Sequence, residues 1–247
     1  MAFSRAKQER KPLVVSESLR DKQQRLVAFH DAVVSSCFTG EKKIQAKPGK
    51  IMVTGSSKNP EYVLHLWKAE IFKDGATFFY EPLTGFVLED YATMKPLDFS
   101  QALRIAKHMC KAVAFIHELG LCHRNLTPDS FVVVLENEDK KVKTTAKLWK
   151  FGHSCAVKEW GFQECVPPPR TKYSAPETLS EQKNMSRLEW IYADRYSLGS
   201  CLEYLLTFGG KRKLPSQELK DFLSEMKQTR ARRRPSALKA VDFFEQL

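Results

Sequence analysis

The chain has 247 residues, of which 43% are hydrophobic and 28% are charged, a composition typical of a globular protein that can bury a sizeable core. No window approaches the roughly 18 uninterrupted apolar residues of a membrane span, and the basic first eleven residues lack the apolar run of a secretory signal. The six cysteines form no C-x-x-C pair. We therefore expect reduced thiols in a cytoplasmic protein, with a nuclear location as the alternative.

The net charge of +11 is concentrated in two segments of the chain. Residues 1–60 contain 12 Lys/Arg against 5 Asp/Glu, and residues 208–240 contain 10 against 3. A basic face can attract nucleic acid or an acidic protein, but neither segment shows the interleaved aromatic residues of a nucleic-acid site. We expect an ordinary solvated surface, and binding of nucleic acid stays open as an alternative.

The first third of the chain predicts a small lobe that spans residues 1–82. Residues 16–35 have apolar side chains at helical spacing behind a capping-box start, which predicts an amphipathic helix. Residues 36–60 are polar, basic and rich in turn formers, which predicts a long loop with one strand at residues 50–54. Residues 62–82 contain two strand-like runs around an Asp-Gly turn signal, which predicts a hairpin.

The remaining residues, 83–247, predict a mainly helical second lobe. Residues 99–119 carry apolar side chains at helical spacing and predict one long helix. A second hairpin is expected with strands at residues 131–135 and 144–149, and helical patterns predominate after three consecutive prolines. Because strands dominate early and helices later, the predicted class is α+β with two lobes.

Five motifs of the second lobe resemble motifs of the protein kinase family. Residues 123–130 (His-Arg-Asn-Leu-Thr-Pro-Asp-Ser) resemble the catalytic loop H-R-D-L-K-P-x-N, and residues 147–152 (Lys-Leu-Trp-Lys-Phe-Gly) resemble K-L-x-D-F-G. Residues 175–177 match A-P-E, residues 194–199 resemble D-x-Y-S-x-G, and residues 234–236 resemble R-P-S. Five matches in the family's order argue against chance.

The resemblance covers residues 59–247, whereas the first 58 residues match poorly. It implies a bilobal protein-kinase-like fold with a truncated or rebuilt small β lobe and a mainly helical large lobe. The D-x-Y-S-x-G and R-P-S forms lean towards tyrosine-kinase-like families.

The positions that carry the family's chemistry are replaced in this chain. Asn125 stands where the resemblance places the catalytic aspartate, and an amide has no useful basicity at neutral pH. Thr127 replaces the lysine that contacts the transferred phosphate, and Ser130 replaces an asparagine that holds magnesium. Lys150, which precedes Phe151-Gly152, replaces the metal-binding aspartate of D-F-G, and its ammonium would repel a divalent cation.

The expected nucleotide site is equally altered. No G-x-G-x-x-G motif precedes Tyr62, and the predicted helix at residues 16–35 lacks a central glutamate to pair with a nucleotide-binding lysine. We therefore expect a pseudokinase that is not an enzyme, with no metal site and no cofactor. The alternative is ATP bound without magnesium, with the Lys150 ammonium in the place of the metal.

Other family positions are expected to support the fold. The resemblance implies that His123 packs in the core against Phe151, and that His123 and Arg124 have structural roles. It implies that Asp194 binds backbone N–H groups of the catalytic loop.

Two features are expected in the last third of the chain. Glu177 and Arg234 resemble the buried ion pair that ties the activation segment to the large lobe. About ten residues separate Phe208 from Leu219, too few for the helix that many kinases use to dock substrates.

Three classes of function follow from these expectations. The first is a non-catalytic scaffold or allosteric partner of another protein, such as an active kinase or a multiprotein assembly, with the basic N-terminal quarter and Pro167–Pro169 as contact sites. The second is an atypical nucleotide-binding kinase or transferase with residual activity, and the third is a basic nucleic-acid-binding module. The second class needs another carboxylate to replace the lost ligands, and the candidates are Glu70, Glu89, Asp90 and Asp129.

Overall fold

The computed structural model describes residues 14–16, 51–54, 61–64, 66–72, 75–80, 85–94, 97–138, 141–156, 168–179, 185–208 and 212–247. The predicted helix at residues 16–35 lies outside these ranges except for Ser16, which ends a strand. The predicted loop at residues 36–60 also lies outside them except for residues 51–54. Among the described residues, no helix is long and apolar enough to cross a membrane.

A four-stranded antiparallel sheet forms the small lobe. Its strands are β1 (Val14–Ser16), β2 (Ile51–Thr54), β3 (Leu66–Phe72) and β4 (Gly75–Tyr80), in the order β1-β4-β3-β2. The hairpin β3–β4 confirms the prediction for residues 62–82, and β2 confirms the predicted strand at residues 50–54.

The large lobe is built from short strands and six helices within the described ranges. The strands are β5 (Gly85–Val87), β6 (Leu121–Cys122), β7 (Phe131–Glu138), β8 (Lys141–Leu148) and β9 (Cys155–Ala156). The helices are α1 (Leu88–Met94), α2 (Phe99–Glu118), α3 (Pro176–Leu179), α4 (Arg187–Thr207), α5 (Gln217–Met226) and α6 (Ala237–Gln246). The fold is therefore bilobal and of the α+β class.

Helix α2 confirms the long helix predicted at residues 99–119. It begins with a capping box, in which the Asp98 carboxylate accepts the Gln101 N–H at 2.7 Å and the Gln101 side chain accepts the Asp98 N–H. Its apolar stripe is buried against α4 and α6. The helix therefore forms the centre of the large-lobe core.

The hairpin β7–β8 is longer than the sequence predicted. The strands were expected at residues 131–135 and 144–149, but pairing runs from Phe131 opposite Leu148 to Glu138 opposite Lys141. The predicted bounds leave the charged residues between the two apolar runs outside the strands. In the actual register the backbone pairing continues through these charged residues on both strands.

Residues 61–64 join the large lobe, although the predicted boundary between the lobes is at residue 82. The Leu64 N–H donates to the Leu148 carbonyl at 2.9 Å, and the Leu148 N–H donates to the Tyr62 carbonyl at 2.8 Å. Val63 and Leu64 are buried in the same core as α2. Residues 61–64 therefore belong to the large-lobe core, although they precede the predicted boundary in the sequence.

A buried ion pair joins the start of α3 to the segment before α6. The Arg234 side chain is fully buried, and its guanidinium donates to both carboxylate oxygens of Glu177. It also donates to the carbonyls of Tyr192 and Gln228, each at 2.9 Å. One arginine thus links four separate segments, and the structure brings together the pair that the resemblance implied.

Replacing Glu177 by alanine is expected to destabilise the fold by about 3 kcal/mol, because the Arg234 charge would stay buried without its counter-ion. The measurement is the free energy of unfolding in urea, with Glu225→Ala as a control in which an exposed carboxylate is removed. Equal stability of Glu177→Ala and the control variant would show that the ion pair contributes nothing.

Candidate functional site

A buried carboxylate from α4 fixes the loop at residues 123–130. The Asp194 side chain accepts the His123 N–H at 2.6 Å and the Arg124 N–H at 2.8 Å, and His117 Nε2 lies 3.2 Å from the same carboxylate. Arg124 adopts a left-handed backbone with φ 68°, a conformation that few side chains favour. Asp194 therefore holds a strained turn at the centre of the site.

His123 connects this loop to the segment that contains Lys150. The imidazole is completely buried, its Nε2 lies 2.8 Å from the Trp149 carbonyl, and its ring packs edge-on against Phe151. Burial lowers the pKa of His123, so the ring is neutral at physiological pH and Nε2–H donates to that carbonyl. His123 and Phe151 are packing residues in this arrangement.

The Arg124 side chain contacts helix α4 and the one-turn helix at Phe151–His153. Its guanidinium lies 4.3 Å from the Trp190 ring and donates to the His153 carbonyl at 3.2 Å. Burial lowers the pKa of Arg124. Its contacts are therefore structural.

The loop residues that replace the family's phosphate and metal ligands are engaged within the loop. The Ser130 hydroxyl is buried and donates to the Thr127 carbonyl at 2.6 Å, while the Thr127 N–H donates back to Ser130 Oγ at 3.0 Å. Asn125 is half-buried, and its N–H lies 3.4 Å from His123 Nδ1. Its side-chain amide stands at the position where the family has a base.

Lys150 occupies the metal-ligand position in a left-handed backbone conformation, with φ 61° and ψ 45°. Its Nζ lies 3.7 Å from Asp129 Oδ2 and 5.3 Å from the centre of the Trp149 ring. The Trp149 indole in turn donates to the Asp129 carbonyl at 2.7 Å. Gly152 follows in the one-turn helix Phe151–His153. Lys150 therefore lies over the end of the loop as a half-exposed cation.

A second carboxylate from α1 meets Asp129. A hydrogen bond between the two side chains raises the pKa of Glu89, and burial and the Asp129 charge raise it further. The sequence named both residues as candidates, but they are forty residues apart and their contact could not be read from spacing. Asp90 is exposed on α1, and Glu70 lies in β3 opposite Thr77.

The described residues at the position where the family binds its metal do not fit magnesium. A lysine ammonium stands there instead of a carboxylate, and the Ser130 hydroxyl is engaged with the loop backbone. Within the described ranges there is no group of three or more His, Cys, Asp or Glu that could hold a metal ion. No step of the chemistry is therefore assigned to a metal held by these positions.

No helix lies in residues 212–216, the described part of the connection between α4 and α5. Arg212 instead packs its guanidinium 4.6 Å from the Phe208 ring and donates to the Leu97 carbonyl at 2.6 Å. These contacts tie the end of α4 to the residues before α2. That this connection is too short for a docking helix stays a prediction, because residues 209–211 lie outside the described ranges.

Comparison with known families and proteins gives a consistent result. The sequence model of the protein kinase domain matches residues 14–211, so the likeness includes the first strand and is not limited to residues 59–247. Among solved structures, the crystal structure of Rad53 kinase domain and SCD2 superposes with a TM-score of 0.55, at 17% identity, over 78% of this chain and 77% of that one. This likeness supports the fold.

Curated relatives bear the names of serine/threonine kinases. The chain is 28% identical over 152 residues to the probable serine/threonine-protein kinase zyg-1 of Caenorhabditis elegans, covering 61% of this chain and 20% of that protein. It is 29% identical over 136 residues to the probable serine/threonine-protein kinase FMP48 of Saccharomyces cerevisiae, covering 48% and 34%. The matches thus span 20% and 34% of the length of these two relatives.

These matches overturn one expectation from the sequence. We expected a chain that is not an enzyme, because four positions of the family's chemistry are replaced. The kinase-domain match and the relatives named as kinases point to a kinase enzyme instead. The inference failed because it equated the loss of particular ligands with the loss of the reaction. The tyrosine-kinase-like leaning receives no support from relatives that are named serine/threonine kinases.

Replacing Asp194 by asparagine is expected to destabilise the fold by about 2 kcal/mol, because hydrogen bonds to a charged acceptor are lost in a buried site. Amide hydrogen exchange should show faster exchange at His123 and Arg124, whose N–H groups Asp194 accepts. The exposed Asp242→Asn is the control. Unchanged exchange at these two amides would contradict the assigned role of Asp194.

Proposed function

Because the match over residues 14–211 shows that this chain belongs to the protein kinase domain family, we propose that it is an atypical serine/threonine-type kinase that binds ATP without magnesium. The observation that carries this proposal is the Lys150 ammonium at the position of the family's metal ligand. A cation at this place can neutralise phosphate charge that a metal ion otherwise neutralises.

The surroundings of Lys150 support a role in binding phosphate. Its side chain is 38% exposed, and its ion pair with Asp129 is held at 3.7 Å between two partly exposed groups. Such a pair is worth little in water, about 0–1 kcal/mol, so a phosphate can displace Asp129 at small cost. The ammonium then offers up to three hydrogen-bond donors to phosphate oxygens.

The Asn125 amide is expected to limit the rate of phosphoryl transfer. An asparagine can orient an attacking hydroxyl by a hydrogen bond, but it cannot accept the proton as a carboxylate does. Asp194, His123 and Phe151 hold the loop that carries Asn125. We therefore propose transfer to serine or threonine hydroxyls at a rate well below that of relatives with aspartate at this position.

Binding of ATP in the presence of a chelator is expected to raise the midpoint of thermal unfolding by several degrees, since ligand at a hundred times its dissociation constant stabilises by about 2.7 kcal/mol. Lys150→Ala should lose most of this rise, because the phosphates lose their cation. Lys220→Ala, in which an exposed lysine on α5 is removed, is the matched control.

Two results would contradict magnesium-independent binding. The first is a rise of the same size in wild type and Lys150→Ala. The second is a rise that appears only when magnesium is added, which would place a metal site outside the positions considered above.

Asn125→Asp is expected to raise phosphoryl transfer from radiolabelled ATP to serine/threonine peptides by about a hundredfold, because it supplies the missing base. Asn125→Ala should lower transfer below wild type while leaving the ATP-induced thermal shift intact. If Asn125→Asp binds ATP but transfers no faster than wild type, residue 125 does not limit the reaction.

A role as scaffold or allosteric partner of another protein, such as an active kinase, is a second candidate function and is compatible with the first. The observation that favours it is an open groove between α2, β8 and α6. None of the residues that line this groove is among the described contacts of Lys150, which are with Asp129 and Trp149. The test of this role is the peptide-binding experiment on that groove.

A further inference from the structure

A groove with a volume of about 530 Å³ lies on the face of the large lobe formed by α2, β8 and α6. It is lined on α2 by Leu103, Arg104, Lys107 and His108, and at the C-terminal end by Phe244 and Leu247. Ligand sites in proteins have volumes of about 300–1,000 Å³, so the groove is large enough for several side chains. None of the family motifs includes a residue of this groove.

The floor of the groove is apolar. Phe244 is buried, and Leu103 is partly buried and packs against the main core. Leu247 is 50% exposed, which leaves an aliphatic surface open to solvent beside the buried phenyl ring. Covering this surface with an apolar side chain would be favourable by about 25 cal/mol per Å² of apolar area removed from water.

The rim of the groove is positively charged. Arg104 is exposed and Lys107 is half-exposed, and neither forms an ion pair with another residue of the described ranges. The carboxylate on the neighbouring turn of α6 is already engaged, because Glu245 lies 2.9 Å from Lys111 Nζ. Glu245 also feels the charge of Lys107, but its ion pair is with Lys111, so Arg104 and Lys107 keep their charges on the rim without an ion pair in the described ranges.

His108 provides a neutral polar group between the floor and the rim. Its Nδ1 accepts the Ala146 N–H at 3.2 Å, and its ring stacks on Tyr62 with centroids 4.8 Å apart. Burial is the largest cause that lowers the pKa of His108 to about 4; the Glu61 charge opposes it, and the positive charges of Lys111, Arg104 and Lys107 contribute to it. The imidazole is therefore neutral at pH 7, with Nε2–H as a hydrogen-bond donor.

These features select the chemistry of the occupant. Cations above an apolar floor match a segment that carries carboxylates beside a leucine-like side chain. A nucleic acid would use the cations but not the apolar surface, because the exposed apolar side chain of the groove is the aliphatic Leu247, which offers bases no aromatic ring to stack on.

We propose that this groove docks an acidic peptide segment of a partner protein, with an aliphatic side chain on Leu103, Phe244 and Leu247 and with carboxylates at Arg104 and Lys107. The proposal does not depend on nucleotide binding. It adds to the chain a recognition surface that is separate from the Lys150 site.

The test uses a fluorescein-labelled peptide of alternating glutamate and leucine and measures its binding to the 247-residue chain by fluorescence anisotropy. Two control peptides replace every glutamate by lysine or every leucine by alanine. We expect saturable binding of the first peptide, and binding weaker by about tenfold when either carboxylates or leucines are removed.

The protein variants separate a local site from the effect of net charge. Arg104→Glu/Lys107→Glu should weaken binding of the glutamate–leucine peptide by about tenfold or more. Lys213→Glu/Lys220→Glu changes the net charge equally at exposed positions outside the groove and should bind like wild type. Thermal unfolding of both double variants shows whether each is folded, and Arg104→Ala/Lys107→Ala replaces the first if it is not.

Four results would overturn the proposal. The first is that the glutamate–leucine peptide shows no saturable binding at about 1 mM chain. The second is that both double variants weaken its binding equally. The third is that the peptide with alanine in place of leucine binds equally well, which would indicate a general polyanion effect. The fourth is self-association of the chain that Arg104→Glu/Lys107→Glu abolishes in sedimentation experiments, since the groove would then be an interface between two copies.

Discussion

The candidate site depends on one buried carboxylate in the middle of α4. Asp194 accepts two successive backbone N–H groups of the loop at residues 123–130, and one of them belongs to Arg124 in a left-handed conformation. Two buried N–H groups without an acceptor would each cost about 1–3 kcal/mol, so the turn is stable because this acceptor is present. The position of His123 follows from the turn, and the position of Trp149 follows from its bond to His123.

The supporting contacts and the chemistry are separable in this chain. Asp194, the His123–Phe151 contact and the Glu177–Arg234 pair hold the large lobe in the arrangement that its family membership implies. The positions that would bind phosphate and metal carry other side chains. Because a fold can keep its supports while its site changes, the replaced residues indicate an altered charge balance at the site and do not by themselves decide whether transfer occurs.

The charge of Lys150 is balanced by Asp129, one of the carboxylates that the sequence offered as replacements for the lost ligands. In the structure Asp129 lies within 3.7 Å of the ammonium and contacts Glu89 on α1. Asp129 therefore interacts with the Lys150 ammonium and with a second carboxylate, and a hydrogen bond with Asp129 raises the pKa of that carboxylate, Glu89. Lys150 is thus paired with Asp129, and both side chains remain partly exposed to water.

Local patterns predicted local structure well. The apolar stripe alone predicted α2 almost to the residue, since its positions lie within a few residues of one another, and the structure adds a capping box at Asp98. Helix α1 and strand β5 were missed because seven and three residues are too short to show a period. The hairpin β7–β8 was predicted too short because cross-strand register, and not apolar content, determines where it ends.

Non-local features could not be predicted in the same way. The contact of Glu89 with Asp129 joins residues forty positions apart, and the groove joins α2, β8 and α6 from three distant parts of the sequence. The charge distribution shows the difficulty most clearly. The excess of basic residues lies in residues 1–60 and 208–240, yet Arg104 and Lys107 belong to the acidic middle of the chain. Charges in water act over about one Debye length, roughly 8 Å. The effect of Arg104 and Lys107 therefore depends on which carboxylates the fold brings near them, and not on the net charge of their segment of the sequence. On α6 the Glu245 carboxylate forms its ion pair with Lys111, so two cations in an acidic segment line the rim of the groove without an ion pair in the described ranges.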